Sequence, residues 1–196
     1  MDKLGTSTVL QIRNMVSSRC ISLVQNVLDN TPNIQVEKVY LGAAQIIKTS
    51  GNVDFIDLQK QLQAHGFDLI YDKEMALLEA IKVAVLEMIY YGNNLNTIIR
   101  NSDYLSDKLG HPYSYLSKLF SEKTNTTLEK FIILVKIERV KELLSYNEMT
   151  LSEISYQMGY SSVQYLSNQF KQITTYSVSE YKALQIKPRT PLDQLI

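Results

Sequence analysis

The chain of 196 residues carries 20 basic and 20 acidic side chains, a formal net charge of zero, 45% apolar residues and a single cysteine. This balance excludes a disordered chain and one held to nucleic acid by bulk electrostatics, while leaving local basic faces open. There is room for one large or two small domains, Cys20 alone excludes an intrachain disulfide framework and fits a reducing compartment, and no apolar run approaches the ~18 residues that span a bilayer.

The opening residues MDKLGTSTVL lack a basic start and an apolar h-region, so no secretory signal is expected and the protein is expected in the cytoplasm, with no membrane partner. From Thr8 to Asp72 strand and helix periods interchange. TVLQI (8–12) and IQVEKVYL (34–41) alternate apolar and polar residues, and AAQIIK (43–48) and FDLIYD (67–72) read as two further strands. Ser18 to Leu28 puts Ile21, Val24 and Leu28 on one helical face, and Phe55, Ile56, Leu58 and Leu62 do the same in a second helix. The order β-α-β-β-α-β, with a turn at Gly42 and Gly66 closing the second helix, predicts an α+β domain over 1–74: a ferredoxin-like sandwich of two helices on an antiparallel sheet.

After Tyr71 the strand signal stops. KEMALLEAIKVAVLEMIYY (73–91) predicts a long helix with Leu77, Leu78, Ile81, Val85, Met88 and Ile89 inward, closed by Gly92 and Asn93. An all-α domain is expected over 75–187, followed by a tail, 188–196, that docks or frays. Helix starts are marked by capping boxes at Thr126 with Glu129, Thr150 with Glu153 and Ser177 with Glu180. Residues 1–74 carry about one excess acid and 93–187 about two excess bases, a slight tilt toward a basic second half.

That second half repeats itself. YLSKLFSEKT (115–124) is answered fifty residues later by YLSNQFKQIT (165–174). Each follows a short helical segment that ends in glycine, SDYLSDKLG (102–110) and TLSEISYQMG (150–159). Helix, tight glycine turn, helix is the helix-turn-helix unit, here present twice. Gly110 and Gly159 are expected at positive φ, which lets the second helix cross the first steeply.

Spacing in the second copy turns Val163, Leu166, Phe170 and Ile173 inward and leaves Gln164, Ser167, Asn168 and Lys171 outside. In the first copy Leu116, Leu119 and Phe120 point inward, and Ser114, Ser117, Lys118 and Ser121 point out. Asn and Gln amides pair with adenine, lysine pairs with guanine, and serine reaches base or phosphate, so these faces carry the chemistry that reads a major groove of double-stranded DNA. The apolar helix TLEKFIILVKIERVKELLSY (127–146) is expected to lie buried between the two units.

Residues ~75–184 resemble the DNA-binding domain of the AraC-type transcription regulators, through YLSKLFSEKT, KIERVKELL, TLSEISYQMGYSS, YLSNQFKQIT and SEYK. The resemblance implies two helix-turn-helix units joined by one long helix, with bases met by Ser114, Ser117 and Lys118 and by Gln164, Ser167 and Asn168. It also implies RNA polymerase as a partner. Thr175 and Val178 depart from the Gly and Pro usual in that family before the last helix.

The segment IRNMVSSRC (12–20) makes the first domain similar to the heavy-metal-associated domain, whose loop reads Met-x-Cys-x-x-Cys. Met15 and Cys20 match and Ser17 does not. Soft ions are selected by paired thiolates, so no metal or other cofactor is expected, although two chains can each lend one Cys20. The domain is expected to serve as a homodimer or partner surface, with Cys20 at a helix N-terminus also placed for redox chemistry. The sequence holds no GxxxxGK[ST], GxSxG or HExxH motif, and His65 and His111 lie far apart, so no enzyme is expected. Two functions remain: a sequence-specific DNA-binding transcription regulator, and a thiol- or metal-responsive interaction protein whose helical repeat binds protein partners.

Overall fold

The structure is a computed structural model, and the residues it describes are 7–49, 51–92 and 101–195. The chain divides into two compact units, Met1–Val83 and Ala84–Ile196.

The first unit begins with β1 (Ser7–Arg13), α1 (Ser18–Asp29), β2 (Ile34–Tyr40), β3 (Ala43–Lys48), α2 (Phe55–Gln63) and β4 (Asp68–Ile70). The four strands form one antiparallel sheet in the order β2-β3-β1-β4. Alternation decides which face is dry: Leu10 and Ile12 of β1 and Ala44 and Ile46 of β3 are buried with Val24 and Leu28 of α1 and Leu58 and Leu62 of α2. In β2 the alternation breaks, because the register with β3 shifts between Val36 and Lys38. The extra residue of this bulge resets the phase, so that Ile34, Val36 and Val39 all pack against the same core despite their uneven spacing. Gly42, at φ 81°, turns the chain between β2 and β3, and Gly66, at φ 82°, ends the turn after α2.

Asp54 caps α2 by accepting the N–H groups of Ile56 and Asp57, each at 3.0 Å. The last strand is pinned at its start by Asp68, whose carboxylate takes Arg13 at 3.1 Å, Gln63 at 3.2 Å and the Gln59 amide.

Helix α3 (Lys73–Tyr90) contains the division between the two compact units. Its first half belongs with the sheet: a β-carbon on Gly42 would stand 3.1 Å from Val83. Glu79 is buried there, and desolvation holds its carboxyl above the ordinary range despite Lys82 3.5 Å away. Leu78, Ile81, Val85, Met88 and Ile89 are buried as the period predicts, and Leu77 is half-buried. Gly92 follows the helix, and Asn93 lies outside the described residues.

The second unit continues with α4 (Asn101–Leu109), α5 (Tyr113–Thr124), α6 (Leu128–Tyr146), α7 (Leu151–Gln157), α8 (Val163–Thr174) and α9 (Val178–Ala183). Helix α6 packs against α5 on one side and against α7 and α8 on the other, so it buries residues around most of its circumference. Phe120 of α5 meets Phe131 of α6 at 5.2 Å, and Phe170 of α8 meets Tyr181 of α9 edge-on at 5.3 Å.

One inward position of α2 needs correction: Ile56, two residues before buried Leu58 and so on the opposite side of the helix, stands 72% exposed. Two expectations in the second unit also need correction. Helix α6 is capped by Thr127, which accepts the Lys130 N–H at 3.1 Å, and not by Thr126. Asn125 closes α5 in the left-handed region, and Thr126 is spent on that turn through its backbone contacts with Thr124 Oγ1. Glu129 therefore falls one position early for a capping box and accepts the Tyr113 hydroxyl at 2.8 Å. The boxes at Thr150–Glu153 and Ser177–Glu180 are both complete. The second correction is Val163, which stands exposed at 36% because it is the first residue of α8, three residues ahead of the first buried side chain, Leu166.

The tail docks. Thr190 N–H donates to Glu138 at 3.2 Å, Arg189 lies 3.8 Å from Glu138 and 3.6 Å from Glu142, and the Tyr181 hydroxyl donates to the Pro188 carbonyl at 3.1 Å. Glu138 is buried and ion-paired with buried Lys141 at 2.6 Å. Beyond these contacts lies one 3-10 turn, Leu192–Gln194.

Candidate nucleic-acid interface

Helices α4 and α5 meet through Gly110, and α7 and α8 through Gly159, both at φ 68°. Neither turn admits a β-carbon without backbone strain. After each glycine an aromatic residue packs on the tyrosine two places into the next helix: His111 on Tyr115 at 5.3 Å, and Tyr160 on Tyr165 at 5.9 Å. Buried Leu116, Leu119 and Phe120 in α5, and Leu166 and Phe170 in α8, fix which side of each helix is free.

On the free side of α5, Ser114 and Lys118 are exposed, while Ser117 and Ser121 are half-buried. The four lie at i, i+3, i+4 and i+7 and so share one face. Ser121 is partly spent, since its hydroxyl donates to the Ser117 carbonyl at 2.9 Å. Lys118 sits 3.8 Å from Glu122 with both side chains largely in water, an ion pair that a phosphate or a guanine can displace at small cost. On α8, Gln164, Asn168 and Lys171 are exposed and Ser167 is half-buried. Gln164 donates to Asn168 at 2.8 Å, so the two amides are held side by side, each with hydrogen-bonding capacity to spare.

Sequence reasoning missed Tyr115 and Tyr165, which are 44% and 54% exposed beside these faces. The repeated Tyr-Leu-Ser was the available signal, because the tyrosine precedes the buried leucine in both copies. In the first unit Met15 is 2% exposed and packs in the core, so it serves as an apolar filler. Cys20 is half-buried in the first turn of α1, with its sulfur 3.5 Å from the Ser17 hydroxyl. Among the described residues no group of three histidine, cysteine or acidic side chains gathers as a metal site, and no helix is long and apolar enough to cross a membrane.

Residues 105–183 match a family model described as a helix-turn-helix domain. Among curated proteins, the chain is 35% identical over 95 residues to an uncharacterized HTH-type transcriptional regulator in the cgkA 5' region of Pseudoalteromonas carrageenovora, covering 48% of this chain and 55% of that protein. It is 30% identical over 99 residues to the xylose operon regulatory protein of Escherichia coli strain K12, covering 50% of this chain and 25% of that one. The chain thus spans about half the length of the first relative and a quarter of the second. A solved DNA-binding transcriptional dual regulator from Escherichia coli K-12 is 20% identical with a TM-score of 0.44, covering 52% of this chain and 88% of that one.

Proposed function

We propose that this protein is a sequence-specific, DNA-binding transcription regulator of the AraC type that inserts α5 and α8 into successive major-groove segments on one face of double-stranded DNA, about 34 Å apart by helical repeat. The observation that carries the reading is the duplication: two helix-glycine-helix units in one compact unit, each with a polar outer face opposite its buried apolar side. Ser114, Ser117, Lys118 and Ser121 read one segment, and Gln164, Ser167, Asn168 and Lys171 the other. Residues 75–187 form the DNA-binding domain. Residues 1–74 form the ferredoxin-like domain, supported by the β2-β3-β1-β4 antiparallel order, and serve as a homodimer or partner surface. RNA polymerase is the further partner that the resemblance to AraC-type regulators implies, and the cytoplasm is where both partners are met.

The reading as a thiol- or metal-responsive interaction protein gains no support from a loop in which one thiol faces a serine and the methionine is core. Selection of bound duplexes from a random pool, followed by salt titration of the winner, tests the proposal. A preferred sequence with affinity falling steeply and linearly in log salt is expected. Equal retention of all sequences, or binding indifferent to salt, would sink it.

A further inference from the structure

The outer faces of α5 and α8 leave unused a groove of about 400 Å³ in the second unit, between the two helix-turn-helix copies. Its floor is Ile132 and Ile133 of α6, and Tyr113, Tyr160 and Tyr165 rise beside it. That volume and mixture of apolar floor with a few polar groups suit a small molecule.

The polar groups are not distributed evenly. Lys136 lines one end, where its ammonium donates to the Met158 carbonyl at 3.1 Å and lies 5.5 Å from the Tyr160 ring centroid. Among the described residues no carboxylate pairs with it, and an ammonium has three donors to satisfy. Burial pushes this ammonium below its ordinary range, the expected response of a cation that has lost water and gained no anion. Glu129 lines the other end, seven residues earlier on the same helix and so about 10 Å away. Its carboxylate is occupied by the Tyr113 hydroxyl. An anion therefore has one favourable end to occupy, and a hydroxyl donor is favoured at the other.

We propose that this groove is a binding site for a small organic monocarboxylate with a flat apolar body, the carboxylate on Lys136 and the body over Ile132 and Ile133 beside Tyr160 and Tyr165. The site goes beyond the DNA-binding reading and does not rest on it, so it is tested without DNA.

The probe is 4-hydroxycinnamate, titrated calorimetrically into the full-length protein against its uncharged amide. Saturable one-to-one binding is expected, weakened about tenfold or more in the amide, the loss of one charge-assisted hydrogen bond. Lys136→Met should lose the same factor and Lys136→Arg should retain most of the affinity. Tyr165→Ala, a change at an exposed side chain, should weaken binding of acid and amide alike, and it supplies a second variant if Lys136→Met does not fold. Equal binding of acid and amide, unchanged affinity in folded Lys136→Met, or no binding of the acid at millimolar concentration would each overturn the proposal.

Discussion

Thr175 closes α8 at φ 68°, a left-handed conformation in which a β-branched residue is crowded against its own backbone. The same job is done by glycine at Gly110 and Gly159. Thr175→Gly is expected to stabilise the protein by about 0.5–1 kcal/mol, the relieved strain less the entropy that glycine adds to the unfolded chain. Gly110→Ala should destabilise it by about 1 kcal/mol through backbone conformation alone, because a β-carbon there would meet nothing within 4 Å. Urea midpoints at constant slope measure both, and a destabilised Thr175→Gly would mean that the Thr175 side chain contributes more than its exposed position suggests. On the DNA side, Lys118→Ala and Asn168→Ala are each expected to cost about 1–3 kcal/mol on the selected sequence, and less on random duplex. Equal losses on both would reassign these residues to phosphate contact. The outward set was legible because buried neighbours at 3-4 spacing define it by elimination. Val163 escaped that logic: spacing gives a direction but not where the core stops.

Helices α7 and α9 are short, and each depends on its first turn. Hydrogen bonds from the Thr150 backbone and side chain hold Glu153 below its ordinary value of 4.5, and those from the Ser177 side chain and backbone do the same for Glu180. A carboxyl depressed in the folded state contributes stability that is fully present above the unfolded value and is lost as pH falls through the lower folded value. The double change Glu153→Gln and Glu180→Gln should therefore lower the melting temperature at pH 7 and converge on wild type as pH falls through the lowered folded-state values. A gap that stays constant across that range would show that the ionised form has no advantage over the amide. These boxes were readable because a hydroxyl and an acid three residues apart leave one pairing. At Thr126-Thr127 two adjacent hydroxyls competed, and the choice was made by Asn125 adopting the left-handed conformation, which sequence spacing does not encode.

The partners of the charged residues on α6 were the least legible part of the molecule, because apolar residues around most of the helix predict its burial without saying what Glu138 and Lys141 meet there. Lys141 pairs with Glu138, and Glu138 is also met by the tail, whose prolines hide any periodic signal. Ending the chain at residue 187 would take from Glu138 the Thr190 N–H and Arg189, from Glu142 its contact with Arg189, and from the Tyr181 hydroxyl its Pro188 acceptor. A buried carboxylate left with Lys141 as its main partner should cost about 1–3 kcal/mol, read as a lower melting temperature with secondary structure retained. An unchanged melting temperature would make the tail a bystander.

The two helix-glycine-helix units differ in a way that matters for the molecule's bearing on DNA. Two residues separate Gly110 from α5 and three separate Gly159 from α8, and one outer face offers three serines and a lysine where the other adds two amides to one serine and a lysine. A dyad-symmetric dimer reads a palindrome and cannot tell upstream from downstream. Two unlike readers strung head to tail on one polypeptide have no such ambiguity: on the proposed reading, the sequence they fit has a left and a right. Reversing that sequence would turn the protein end for end and point everything else it carries the opposite way along the duplex.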